Sequence, residues 1–252
     1  EAFRIKGFKK RAFILYMKLA GMFKNVVWSV TSPREAEELS AVLGAGRKCI
    51  IATDLPRKEI TVHKREKEAG QLRLVFISRI SPKKNLTAVP DILSLTDKDA
   101  KIIFDIYGTP EDAAYLDESR AKLDALKDAR PLISWEYKGE ADSEKVPEIF
   151  AEYDVFLFPT LGENYGHVIA ESLSSGCIPV ISDTTPWLDL EEKGCGYVCP
   201  LEDKQVFAKA LDELAAMSEE DIRPMRDCCV KYITSLNEES VANTGYRKIF
   251  GS

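Results

Sequence analysis

Short apolar segments rich in β-branched residues alternate with amphipathic segments along most of the chain. The pattern predicts strands at 72–78, 102–107, 131–136, 154–158, 178–182 and 196–199. It predicts helices near 85–95, 112–128, 143–151, 166–175, 187–193, 203–217, 219–235 and 238–249. Continuous apolar strands between helices are typical of a parallel sheet that is covered on both faces. We therefore predict an α/β fold with a doubly wound, six-stranded, Rossmann-like parallel sheet in the order 3-2-1-4-5-6.

The first part of the chain follows a different pattern. It predicts a basic amphipathic helix up to about Phe23, a strand at 25–30, a helix at 32–44 and a strand at 47–53. Two strands and two helices are too few for an independent sheet domain. We interpret 1–56 as the end of an incomplete preceding domain, 57–71 as a charged linker, 72–235 as the main domain and 236–252 as a C-terminal helix.

Charge and hydropathy exclude two classes of protein. The net charge of -6 disfavours a nucleic-acid binder held by bulk electrostatics. No apolar run reaches the ~20 residues that span a bilayer, and no signal peptide is visible, so we expect a cytoplasmic protein. The basic N-terminal helix allows two interpretations: contact with the inner face of an anionic membrane, or packing against the preceding domain.

The spacings of the cysteine and aspartate residues do not indicate a metal-binding site. Six cysteines occur without a CxxC pair, and the Cys195-x3-Cys199 pair has neither of the two histidines nearby. Reduced, buried thiols are the expectation for a cytosolic protein. Asp97 and Asp99, which flank Lys98, precede a strand rather than follow one, so we interpret them as part of a solvated turn. We expect no metal and no other cofactor.

Two predicted loops carry the charged side chains best placed to bind a ligand, and they follow neighbouring strands of the sheet. Arg79 and Lys84 follow the first strand, and Glu163 follows the fourth, where strand order reverses and ligands bind. A helix begins nearby with Gly166 in its first turn, and the free amides of a helix start bind phosphate. Carboxylates in an anion site suggest acceptors for hydroxyl groups, here Glu163 and Glu171. The predicted ligand is anionic in its middle and carries hydroxyls at both ends.

Three segments carry a family resemblance. The spacing Glu163-x7-Glu171, within ENYGHVIAESLSSGCIPVIS, resembles the EX7E signature of retaining GT-B glycosyltransferases of family GT4. VFISRISPKKN resembles that family's first strand and basic loop, and YDVFLFPT resembles the strand before the signature. The likeness covers 72–235 well and 24–56 more loosely, as the end of the acceptor domain.

The resemblance implies a role for each site residue. Arg79 and Lys84 would bind the donor diphosphate, Glu163 would contact hydroxyls of the transferred sugar, and these three are the expected catalytic residues. Glu171 would bind the nucleotide ribose. The other expected donor-binding residues are Tyr107, Gly108, Tyr137 and Lys138 around the base, and Asn164, Tyr165, Gly166, His167 and Val168 around the sugar and distal phosphate. Tyr165 stands where the family usually has Phe, and His167 is expected to line the ligand rather than act as a base.

The implied function is the donor-binding half of a retaining glycosyltransferase. It would move a sugar from a nucleoside-diphosphate sugar to a saccharide or lipid-linked acceptor, in synthesis of cell-surface polysaccharide or glycoconjugate, and this chain alone is expected to be inactive. The alternative is a non-catalytic nucleotide-sugar-binding module or partner subunit. A flavodoxin-like or dehydrogenase domain is disfavoured, because SRISPKKN stands where a G-x-G-x-x-G would follow the first strand.

Overall fold

The computed structural model describes residues 7–30, 33–44, 46, 48–51, 60–61, 63 and 65–242. The chain divides into two compact units between Leu55 and Pro56, with the residues from Ser240 onward assigned to the first unit. The predicted start of the N-terminal helix, residues 1–6, and the predicted helical residues beyond 242 lie outside the described part of the chain.

The first unit contains two helices and a parallel strand pair. Helix α1 spans Gly7–Leu19 and α2 spans Pro33–Leu43, while strands β1 (Trp28–Val30) and β2 (Cys49–Ile51) pair in parallel. Each element lies inside the range that the sequence predicts. Helix α1 ends before Phe23, because Gly21 adopts a left-handed conformation (φ 69°) that closes the helix.

The second unit is built on a six-stranded parallel sheet. Its strands are β3 (Gln71–Ile77), β4 (Lys101–Tyr107), β5 (Ile133–Gly139), β6 (Val155–Phe158), β7 (Ile178–Ser182) and β8 (Tyr197–Cys199). Their order is β5-β4-β3-β6-β7-β8, all parallel, which confirms the predicted fold class and strand order. Strand β5 begins after the predicted Pro131, because proline cannot donate to the ladder.

Helices cover both faces of this sheet. They are α3 (Val89–Ser94), α4 (Ala113–Ala129), α5 (Val146–Phe150), α6 (His167–Ser174), α7 (Lys204–Ala216) and α8 (Glu219–Ala242). Two predictions are wrong. Residues 187–193 form turns, because left-handed Gly194 (φ 68°) ends the segment after a single helical turn. The predicted break near 236 is absent, because neither glycine nor proline interrupts α8 there.

The central strands supply the core of the second unit. All four residues of β6 and all five of β7 are buried. Phe76, Phe104, Phe156 and Phe158 are among the largest fully buried side chains. Edge strand β5 instead exposes alternate residues, as expected where only one face is covered. This rigid centre holds the loops at the carboxyl ends of β3 and β6.

A buried ionic cluster lies at the amino ends of β3 and β6. Asp154 accepts hydrogen bonds from the Arg226 guanidinium at 2.7 Å and from the Arg73 backbone N–H at 2.9 Å. Arg226 also donates to Glu219 at 2.6 Å. Lys67, from the predicted linker, is buried beside them and donates to backbone carbonyls, including that of Ala215 at 3.2 Å. The cluster thus joins the linker, β6 and α8 by charge-assisted hydrogen bonds.

His63 makes the stability of this region depend on pH. Burial, assisted by the positive charge of Arg226, lowers the pKa of His63 to about 4. The unfolded chain binds this proton near pH 6.5 and the folded chain only near pH 4, so stability falls as the pH drops through that window. Because His63 is only half-buried, solvent screening reduces the effect, and we expect a loss of about 1–2 kcal/mol.

Substituting His63→Gln should therefore flatten the pH dependence of the free energy of unfolding between pH 6.5 and 4, measured by urea denaturation. An unchanged slope in His63→Gln would contradict the assignment.

Candidate functional site

Two loops meet at the carboxyl ends of β3 and β6, the neighbouring strands between which the sheet order reverses. The loop after β6 is fastened to the loop after β3 by three hydrogen bonds. Leu161 N–H and the Thr160 hydroxyl donate to the Lys83 carbonyl at 2.9 and 3.2 Å, and the Asn85 amide donates to the Pro159 carbonyl at 2.9 Å. The crevice predicted at this switch point is therefore built from directly bonded loops.

Lys84 and Glu163 form an ion pair in this crevice. Lys84 Nζ lies 2.5 Å from Glu163 Oε1, and the two side chains are only 11% and 12% exposed. The Thr160 hydroxyl lies 3.1 Å from the same oxygen and shares its single proton between this carboxylate and the Lys83 carbonyl. The Lys84 ammonium also lies over the Phe158 ring, 5.4 Å from its centroid. The loop turns at Asn85, which is left-handed (φ 59°), directly after Lys84. The residue predicted to bind phosphate, Lys84, and the residue predicted to accept from hydroxyl groups, Glu163, are thus hydrogen-bonded to each other.

Arg79 lies on the same loop but in a different environment. Its guanidinium pairs with the Glu111 carboxylate, and its side chain is 69% exposed. The loop after β4 holds this position, because Ile80 N–H donates to Thr109 at 2.9 Å and Glu111 N–H donates to Ile80 at 3.0 Å. The structure brings Arg79 to the predicted edge of the sheet, where it contacts Glu111 and not Glu163.

The predicted base-binding residues lie at the ends of β4 and β5. Gly108 has φ 145°, and a Cβ there would lie 1.7 Å from the Ser78 carbonyl oxygen, so only glycine fits against the end of β3. The Tyr137 hydroxyl donates to the Gly108 carbonyl at 2.8 Å, and the Tyr107 hydroxyl lies 3.4 Å from that of Tyr153. Lys138 pairs with Glu136, and this hydrogen bond raises the pKa of Lys138.

Helix α6 begins at the crevice. Its N-cap is Gly166 in the left-handed region (φ 84°), and Gly166 accepts the Ile169 N–H at 2.8 Å. Around it, Asn164 and His167 are exposed, while Tyr165, Val168 and Glu171 are half-buried. The Tyr165 and His167 rings lie 4.9 Å apart. Glu171 lies one turn beyond His167 on the same face of α6, farther from the strand end than Glu163.

Sequence reasoning missed three residues of this neighbourhood. Thr160 binds Glu163, Glu111 binds Arg79, and the Trp187 indole donates to the Tyr165 carbonyl. Thr160 could have been found, since it directly precedes the Glu163 loop and follows an apolar strand. Glu111 and Trp187 carry no such signal, because each comes from a loop distant in sequence.

Several sequence features lie outside the crevice. Burial raises the pKa of the Cys195 and Cys199 thiols to about 12, so both stay protonated. Asp97 and Asp99 lie in an exposed turn, where the Asp97 carboxylate accepts the Asp99 N–H at 2.9 Å. Within the described ranges, no group of three or more His, Cys, Asp or Glu side chains could hold a metal ion. None of the helices described is long and apolar enough to cross a membrane.

The sequence of most of the second unit matches a known protein family. Residues 57–233 match the family described as glycosyl transferases group 1, which is more than half of the chain. The chain belongs to the glycosyl transferases group 1 family. No curated protein is significantly similar to it in sequence.

Solved glycosyltransferase structures share the fold of this group 1 chain. The pneumococcal O-GlcNAc transferase GtfA, in complex with UDP and GlcNAc, is 20% identical, with a TM-score of 0.66 over 88% of this chain and 44% of its own. Sucrose-phosphate synthase of Thermosynechococcus elongatus is 15% identical, with a TM-score of 0.70 over 92% of this chain and 60% of its own. WaaG, a glycosyltransferase involved in lipopolysaccharide biosynthesis, is 11% identical, with a TM-score of 0.64 over 83% and 58%.

These matches confirm the predicted GT-B, Rossmann-like fold and the predicted family. This chain spans between 44% and 60% of the length of the three structures.

Proposed function

We propose that this chain is the nucleotide-sugar-binding half of a retaining glycosyltransferase of the GT4 type. The whole protein transfers a sugar from a nucleoside-diphosphate sugar to a saccharide or lipid-linked acceptor. The observation that carries the proposal is the Lys84–Glu163 ion pair, 2.5 Å long and nearly buried at the switch point of the sheet. It places a cation for phosphate and an acceptor for hydroxyl groups side by side, which are the two chemistries that a nucleotide-sugar requires.

Each charged group has a defined task in this proposal. Lys84 and Arg79 form charge-assisted hydrogen bonds to the diphosphate, without a metal ion, and stabilise the negative charge that develops as it leaves. Glu163 then exchanges Lys84 for hydroxyls of the transferred sugar, while Glu171 accepts from the ribose. As the bond between the anomeric carbon and the leaving phosphate breaks, the acceptor oxygen bonds to the same face. Its proton passes to an oxygen of the leaving phosphate, and the approach from the same face retains the anomeric configuration.

Relatives and surface chemistry support the choice of substrates. The GtfA structure contains UDP and GlcNAc, and WaaG is involved in lipopolysaccharide biosynthesis, which favours a nucleotide-sugar donor and a cell-surface product. Helix α1 carries basic residues, no acidic ones, and exposed Phe13, Tyr16 and Leu19. Such a surface supports contact with an anionic membrane, where a lipid-linked acceptor would lie.

Calorimetric titration with uridine, UDP, GDP and their sugar conjugates tests the proposal. We expect at least one nucleoside diphosphate to bind, and the isolated chain to transfer sugar poorly, because it supplies the donor side of the reaction. A chain that binds no member of the panel would overturn the proposal.

Substitution of Glu163 and of Glu171 should lower the affinity for different ligands. Glu171→Gln should weaken every ribonucleotide by about fivefold, which corresponds to the ~1 kcal/mol between charged and neutral hydrogen bonds. Glu163→Gln should weaken the intact nucleotide-sugar by a similar factor and should not weaken the bare diphosphate, because it releases Lys84 from its carboxylate partner. The matched control is Glu118→Gln on the exposed face of α4, which should change neither affinity. Equal losses for both ligands in both variants would refute this division of roles.

A further inference from the structure

Trp187 connects the loop after β7 to the start of α6. It is only 5% exposed, and its indole N–H donates to the Tyr165 carbonyl oxygen at 2.5 Å. Its ring packs edge-on against Tyr165, with centroids 5.4 Å apart, and against Tyr232 of α8, at 6.3 Å. The Tyr232 hydroxyl donates to Asp189 at 2.7 Å. Trp187 is therefore held from two sides and is in turn placed to hold Tyr165.

The hydrogen bond to Tyr165 also fixes the next backbone N–H. The Tyr165–Gly166 peptide is planar and trans, so its carbonyl and the Gly166 N–H point in opposite directions. With the carbonyl bound to Trp187, the Gly166 N–H points away from Trp187. No acceptor among the described residues takes this N–H, although Gly166 is buried at the N-cap of α6. A buried donor without a protein partner is available to a ligand.

Glycine at 166 and tryptophan at 187 also fit each other sterically. A Cβ on residue 166 would lie 3.4 Å from Trp187 Nε1 and 2.9 Å from Ile169 Cδ1. The left-handed conformation of Gly166 (φ 84°) adds a second requirement for glycine. A side chain at residue 166 would therefore displace Ile169 and press against Trp187, so the contact between this loop and Trp187 requires glycine.

We propose that Trp187 is a positioning residue of the donor site, which orients the Gly166 N–H toward the distal phosphate of the nucleotide. The inference rests on the proposed function, since it assigns the ligand of that N–H. Trp187 does not touch the ligand. It lowers the cost of binding by holding the loop peptide in its ligand-bound orientation beforehand.

Trp187→Phe removes the indole N–H and keeps an aromatic ring. In the ligand-free chain, we expect a changed amide resonance and a lower heteronuclear NOE for Gly166. The affinity for the nucleoside diphosphate should fall by roughly three- to tenfold, the range that one neutral hydrogen bond spans, with the affinity for the nucleoside unchanged. The control Tyr197→Phe removes a hydroxyl that bonds to Glu213, away from Trp187, and should alter neither measurement.

A benzothienylalanine at 187 keeps the shape of tryptophan without its N–H, and it decides the question if Trp187→Phe does not fold. An unchanged Gly166 amide, or an equal loss for nucleoside and diphosphate, would overturn the inference. A wild-type chain that binds no nucleotide would refute the proposed function. The Gly166 amide would still show by itself whether Trp187 orients the peptide.

Discussion

Lys84→Met is expected to lower the free energy of unfolding by about 3–5 kcal/mol and to abolish most diphosphate binding. The first effect follows from burial. Glu163 is only 12% exposed, so removing its cation leaves a carboxylate with little access to water, and such uncompensated charges are among the costliest changes in a protein. The second effect follows from the proposed role of Lys84, because the loss of one charge-assisted contact to phosphate costs ~1.5–3 kcal/mol.

A double substitution separates the two effects. Lys84→Met with Glu163→Met removes both charges, so stability should recover toward the wild-type value in urea denaturation, whereas diphosphate binding should stay lost in calorimetry. If binding recovers along with stability, Lys84 is a structural residue and not a phosphate ligand.

The chain offers a matched control for the role of burial. Lys204 and Asp91 also lie 2.5 Å apart, but their side chains are 41% and 49% exposed. Lys204→Met should therefore cost less than about 1 kcal/mol, as is usual for surface pairs. A loss as large as that of Lys84→Met would show that burial does not explain the difference.

Asp154→Ala is expected to destabilise the second unit by about 3–5 kcal/mol without changing donor affinity. Arg226 and Asp154 are only 5% and 7% exposed, so the substitution removes one of the two carboxylates that compensate a buried guanidinium. It also removes the acceptor of the Arg73 N–H at the start of the sheet. The cluster lies at the amino ends of the strands, opposite the crevice, so the folded fraction should bind nucleoside diphosphate normally.

Two further variants test this assignment. Asp227→Ala removes the neighbouring, exposed aspartate of α8 and should change stability by less than about 0.5 kcal/mol. Asp154→Ala with Arg226→Met removes both buried charges and should recover much of the lost stability in urea denaturation. Equal destabilisation by Asp154→Ala and Asp227→Ala would contradict the role given to the cluster.

Most of the sheet could be predicted because its strands are short apolar runs with clear ends. Strand β7 is predicted to the residue, and β3 and β4 within one residue at each end. The errors occur where local signals conflict with tertiary contacts. Residues 187–193 carry a helical pattern, but Trp187 is engaged with Tyr165 and the segment closes at Gly194. The predicted interruption between two helices before residue 238 is absent, and α8 continues through Asn237.

The candidate site could be predicted in outline. Placing Arg79, Lys84 and Glu163 at one edge of the sheet required only the strand order and the positions directly after two strands. The sequence could not reveal that Lys84 binds Glu163 while Arg79 binds Glu111. Both partners depend on side-chain directions within folded loops, to which hydrophobic periodicity is insensitive.

The sequence by itself determined the alternation of strands and helices, the reversal of strand order and the chemistry available at the carboxyl ends. Those features arise from local pattern and from general rules of parallel sheets. Only the tertiary structure decided that Trp187 holds the Tyr165 carbonyl and that Asp154, Arg226, Glu219 and Lys67 form one buried cluster. The reason is physical: these groups are distant along the chain, and their contacts exist only after the sheet and its helices have packed.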